Sequence, residues 1–69
     1  MNLPEWANYT TVDKWGRKWA YSHKPEIKDY QGREIWSALE VDDSKMMLIS
    51  LGSIRPDWRE SLATVHKPT

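Results

Sequence analysis

The chain has 69 residues, and its ten Lys and Arg balance ten Asp and Glu, giving a formal net charge of zero at pH 7. That balance excludes a global field that would drive it onto nucleic acid or an anionic membrane. The length predicts one domain, residues 1–69, burying only roughly 60% of its unfolded-state surface. Five Trp and three Tyr occur with no Phe and no Cys, so stability must come from a few large amphipathic rings without a disulfide framework or a thiolate metal site.

Residues 6–12 are rich in Tyr, Thr and Val and predict a strand. A loop at Asp13-Lys14-Trp15-Gly16-Arg17 follows, with Gly16 available for the positive φ that a hairpin needs. A second strand is expected over residues 18–23, with Trp19, Tyr21 and His23 on one face and Lys18, Ala20 and Ser22 on the other. Pro25 ends it, because proline cannot donate to a strand ladder. Residues 26–33 read as a charged loop turning at Gln31-Gly32.

Residues 34–41 predict a third strand, with Ile35, Leu39 and Val41 on one face and Glu34, Trp36, Ala38 and Glu40 on the other. Asp42-Asp43-Ser44-Lys45 reads as a polar turn. The apolar run 46–51 predicts a fourth strand covered on both faces and ended by Gly52-Ser53. A short helix is expected next: Pro56 suits its first position, Asp57 and Glu60 match a capping box, and Trp58, Leu62 and Val65 form one stripe. Residues 67–69 have nothing to bury and are expected to fray.

These elements predict an α+β fold, a four-stranded antiparallel meander with one short C-terminal helix packed on one face. In that arrangement Ile35, Leu39, Val41, Met47, Ile49 and Leu51 lie beneath the helix together with Trp58 and Leu62. Trp36 then faces away from the helix, on an open side where Trp19 and Tyr21 join it.

Trp15, Trp19 and Tyr21 lie in a run with Lys14, Arg17, Lys18, His23 and Lys24 that contains no acidic residue. Aromatic faces combined with positive charge mark a binding surface, so the candidate partner-binding residues are Trp15, Arg17, Lys18, Trp19, Tyr21 and Trp36. Three readings compete for them: a small hydrophobic core, a protein-binding patch, or a stacking platform for nucleotides or single-stranded nucleic acid with Lys14, Arg17, Lys18 and Lys24 on phosphates. His23 and His66 have no ligand spacing for a metal, and Asp42-Asp43 is explained by turn chemistry. Ser37, Ser50, Ser53 and Ser61 lie in no nucleophile motif, and Glu34 and Glu40 form no recognisable acid and base pair. Neither catalysis nor a cofactor is expected.

No stretch approaches the roughly 20 apolar residues of a membrane span, and Met1-Asn2-Leu3-Pro4-Glu5 lacks a signal peptide's basic and apolar regions. The expectation is a soluble, unprocessed cytoplasmic chain that does not enter membranes. Its Leu3-Pro4-Glu5-Trp6-Ala7, Trp19-Ala20-Tyr21-Ser22-His23-Lys24-Pro25 and Pro56-Asp57-Trp58-Arg59-Glu60-Ser61-Leu62 segments resemble those of small Trp-rich accessory proteins of tailed bacteriophages and prophages. The resemblance implies a protein made inside the host cell that binds a host protein and inhibits or redirects it. It supplies no catalytic residues. A monomer and a homodimer are equally compatible with these features.

Overall fold

The computed structural model describes residues 3–38 and 43–66. Six strands follow in chain order: β1 (Tyr9–Val12), β2 (Arg17–Tyr21), β3 (Glu26–Tyr30), β4 (Arg33–Ser37), β5 (Met46–Leu51) and β6 (Ala63–Thr64), with a 3-10 turn at Trp58–Glu60 before β6. All pairings are antiparallel. They make two sheets, one of four strands in the order β5-β2-β1-β6 and one formed by the β3-β4 hairpin alone.

The architecture is therefore antiparallel and β-rich, but the single meander is corrected. Residues 26–30 form a strand, not a charged loop, and among the described residues β3 pairs only with β4, from Glu26↔Ser37 to Tyr30↔Arg33. The turn between them lies at Gln31-Gly32 as expected, with φ of 53° and 84°, and Asp29 Oδ1 accepts the Gly32 N–H at 2.8 Å. A two-residue turn with both φ angles positive matches strand twist, and it sets this hairpin despite the charged residues of β3. The place beside β2 is taken by β5, through Arg17↔Leu51, Trp19↔Leu48 and Tyr21↔Met46. The register slips between Lys18 and Trp19, leaving Ile49 as an extra residue in β5.

The expected C-terminal helix is also corrected. Only the three residues Trp58–Glu60 turn, and Asp57 makes no side-chain cap. Its carboxylate instead takes two hydrogen bonds from Arg55, at 2.9 and 2.8 Å. A segment this short gains little from helix propagation. It does better by pairing Ala63 with Thr10 and Thr64 with Tyr9 on the free edge of β1. Where β6 stops, Ser61 continues the contact: its hydroxyl oxygen accepts the Val12 N–H at 2.8 Å and lies 3.0 Å from the Val12 carbonyl oxygen.

The core is aromatic, centred on Tyr21, Trp36, Ala38 and Trp58, with Tyr9, Trp19, Ile27 and Leu62 packed against it. Trp58 is buried and Leu62 joins it, as the sequence implies. The aliphatic core expected beneath a helix does not form. Met47 and Leu51 are exposed, Ile35 and Ile49 are half-buried, and Leu39 and Val41 lie outside the described residues. Trp36 is corrected too, because it shares the core with Trp58 instead of facing away from it. Nor is β5 covered on both faces: Met46, Met47, Leu48 and Leu51 are all exposed. The expectations for Glu40, Asp42 and residues 67–69 also lie outside the described residues.

The preference for Trp and Tyr over Phe has a physical reason in this core. The indole N–H of Trp36 reaches the Trp58 carbonyl oxygen at 3.2 Å, and that of Trp19 reaches Asp13 Oδ2 at 3.1 Å. Among the described residues no buried side-chain nitrogen or oxygen lacks a partner. In a small domain the rings supply packing area and fixed polar links together, and Phe would supply only the first.

Candidate partner-binding surface at the first hairpin

The β1-β2 turn is organised by one carboxylate. Asp13 is only 5% exposed although charged, and four N–H groups compensate its burial. Oδ1 accepts the backbone N–H groups of Trp15 and Arg17, each at 2.9 Å, while Oδ2 accepts Arg17 Nε at 2.7 Å and Trp19 Nε1 at 3.1 Å. Burial alone pushes the Asp13 carboxyl up, but the bonds from Arg17, Trp19 and Trp15 together outweigh it and hold the group below the ordinary range.

Gly16 closes the turn. It adopts φ 84°, its N–H donates to the Asp13 carbonyl oxygen at 3.0 Å, and its own carbonyl oxygen accepts the Gly52 N–H at 2.9 Å. A Cβ on Gly16 would lie 2.6 Å from the Gly52 carbonyl oxygen, so the close approach of the turn to the end of β5 requires glycine.

Trp15 is held on this fixed turn with 46% of its surface exposed. Lys14 Nζ lies 4.7 Å from its ring centroid and the Arg17 guanidinium carbon 4.9 Å, with the same guanidinium 5.7 Å from the Trp19 ring. Such cation–π contacts order the exposed indole and its two cations relative to one another. Behind them is a cleft of about 140 Å³ lined by Asp13, Trp15, Arg17, Trp19, Tyr21, Ile35, Trp36 and Met46.

Of the residues singled out from sequence, Trp15, Arg17, Trp19, Tyr21 and Trp36 thus meet around one cleft. Their availability differs. Trp15 is exposed and Arg17 and Trp19 are half-buried, whereas Tyr21 at 1% and Trp36 at 8% form the floor. Burial raises the Tyr21 phenol above its ordinary value, so it stays neutral. Lys18 does not line the cleft, because strand alternation puts it opposite Arg17 and Trp19.

Sequence reasoning missed Asp13, Ile35 and Met46 as parts of this surface. The signal for Asp13 was present, since an Asp opening a turn accepts backbone N–H groups within it. Met46 and Ile35 reach the cleft only through the pairing of β5 with β2 and the placement of the second hairpin, which no local pattern carries. His23 bonds through Nδ1 to the neighbouring Ser22 hydroxyl at 2.9 Å and His66 is exposed. The described residues contain no cluster of His, Asp or Glu able to hold a metal, and no helix among them is long and apolar enough to cross a membrane.

The chain matches no protein-family model, and neither a curated protein nor a solved structure is significantly similar to it.

Proposed function

We propose that this chain is a non-enzymatic protein-binding module, an accessory protein of phage type that engages a host protein in the cytoplasm and inhibits or redirects it. The observation that carries the reading is the Asp13-locked turn, which holds a half-exposed Trp15 in contact with two cations beside a mainly apolar cleft. An exposed Trp on a fixed turn can bind a partner at low ordering cost, and Trp and Arg are the side chains most enriched at interface hot spots. The likeness of residues 3–7, 19–25 and 56–62 to small phage proteins supplies the host protein as partner.

The rival reading, stacking of nucleotide bases, finds less support. Tyr21 and Trp36 are too buried to offer a face to a base. Net charge is also zero, whereas binding through phosphates weakens steeply with salt.

The test is capture from nuclease-treated bacterial lysate by the immobilised chain and by its Trp15→Ala variant. One host protein retained at about 0.5 M salt by the parent, and lost by an equally stable Trp15→Ala, supports the reading; phosphate contacts would not survive that salt. Saturable quenching of Trp fluorescence by an oligonucleotide at about 150 mM salt would replace it with the stacking reading.

A further inference from the structure

A strand edge exposes unpaired N–H and C=O groups, and proteins commonly protect such edges by shortening them or placing charge along them. Three edges here follow that rule. β6 is two residues long, β3 carries Glu26, Lys28 and Asp29, and β4 carries Arg33 and Glu34. β5 does not. Among the described residues it ends the four-stranded sheet, is six residues long, and reads Met46-Met47-Leu48-Ile49-Ser50-Leu51 without a charge. Met46, Met47, Leu48 and Leu51 are 37, 41, 43 and 76% exposed, on a chain whose fully buried apolar residues are few.

From this edge we infer that the chain forms a two-fold symmetric dimer in which β5 pairs antiparallel with β5 of a second copy, joining two four-stranded sheets into one of eight strands. The register of β5 on β2 puts Met46, Leu48 and Leu51 on the face of Tyr21, Trp19 and Arg17, and Met47 and Ser50 on the face of Ala20 and Lys18. A two-fold axis between Leu48 and Ile49 pairs Met46 with Leu51 and Met47 with Ser50, so side chains of the same face meet although Ile49 is an extra residue. Most other registers would set apolar side chains of one face against the opposite face of the partner.

Charge fits the same axis. Lys45 falls opposite Gly52, and Asp43 opposite Ile54, so no like charges face each other beyond the strand ends. Lys18 of each copy adjoins its own Ser50, which meets Met47 of the other copy beside Ala20, and this keeps the two lysines off one another. With zero net charge, two copies approach without long-range repulsion. Leu51, the most exposed of these side chains, gains Met46 of the second copy as a neighbour on the Tyr21 side.

This inference concerns the β5 edge, which shares only Met46 with the cleft beside Trp15, and it is tested without any partner. Sedimentation equilibrium from about 10 μM to 1 mM should show a reversible monomer–dimer equilibrium, because pairing of one six-residue strand with its copy makes an interface at the small, weakly associating end of the size range. A mixture of isotope-labelled and unlabelled chains should give intermolecular NOEs between Met46 and Leu51. Leu51→Lys should weaken dimerisation at least about 30-fold, as loss of an interface anchor does, and should leave the monomer's amide spectrum otherwise unchanged. Tyr30, 50% exposed at the end of β3 in the other sheet, serves as the control: Tyr30→Lys should leave the dimer intact. A parent chain that is monomeric at 1 mM, a dimer equally strong in Leu51→Lys, or one dissociated as effectively by Tyr30→Lys overturns the pairing.

Discussion

Trp36 donates its indole N–H to the backbone carbonyl oxygen of Trp58 at 3.2 Å, inside the core that both rings help to form. Because the acceptor belongs to the backbone, ring packing and the hydrogen bond can be separated. Trp58→Ala removes the ring and keeps the acceptor, and truncating a buried Trp costs about 3–5 kcal/mol, close to the whole stability of so small a domain. Most molecules should unfold. Trp36→Phe removes the donor, but the Trp58 carbonyl still accepts the Ser61 N–H at 3.2 Å and the Ser61 hydroxyl at 2.7 Å, so that change should cost far less. Urea denaturation of both variants checks the order; a folded Trp58→Ala with unchanged sheet resonances would contradict this packing.

Asp13 ties acid stability to the turn. Its folded-state pKa is lowered, so its contribution is fully present above the unfolded value of about 3.9 and is lost as pH falls through the folded value. Asp13→Asn places an amide against Arg17 Nε and Trp19 Nε1, which both need acceptors, and should cost about 1–3 kcal/mol at pH 7. Below about pH 4 the parent should lose its advantage, and the two stability curves should converge. Parallel curves down to about pH 2 would show that the carboxylate does not hold the turn.

Two glycines with the same φ of 84° should respond differently to alanine. At Gly32 the added Cβ meets nothing within 4 Å, leaving only the left-handed backbone penalty of roughly 1–2 kcal/mol. At Gly16 it would also press on backbone atoms of Gly52 and Ser53 at 2.6 to 2.9 Å, so the cost should be larger by about 1–3 kcal/mol. Thermal melts of the two variants give the comparison, and equal losses would mean that the turn does not sit against the end of β5.

Ser61→Ala should cost about 1–3 kcal/mol, because the Val12 N–H then loses its acceptor at the point where β6 no longer reaches. Hydrogen exchange of the Val12 amide should accelerate more than that of Thr10, which lies where β1 pairs with β6. Unchanged protection at Val12 would remove Ser61 from this role.

Arg59 makes a different kind of link. Its guanidinium meets Glu34 at 2.6 Å and lies 4.6 Å from the Trp58 ring, bringing the 3-10 turn to β4. The carboxyl of Glu34 is lowered by the hydrogen bond from Arg59, but both side chains are well exposed, so salt screens the pair. The packing of Trp58, not this ion pair, holds the turn against the sheet.

The sequence by itself determined the features written in local chemistry. Gly16 and Gln31-Gly32 mark turns because few residues accept positive φ, Tyr and Thr favour an extended β1, and the apolar run of β5 is too short for anything but a strand. The grouping of Trp15, Arg17 and Trp19 was legible as well, since residues two apart on and beside a strand share a face. Tertiary structure decided which strands became neighbours, and hence which faces were buried. Strand pairing is set by long-range contacts, so the insertion of β5 beside β2 separated the β3-β4 hairpin, turned Trp36 into the core and left Met47 and Leu51 exposed. The same competition dissolved the expected helix: periodicity favoured one, but a free edge on β1 offered residues 63–64 backbone partners that a three-residue turn could not supply.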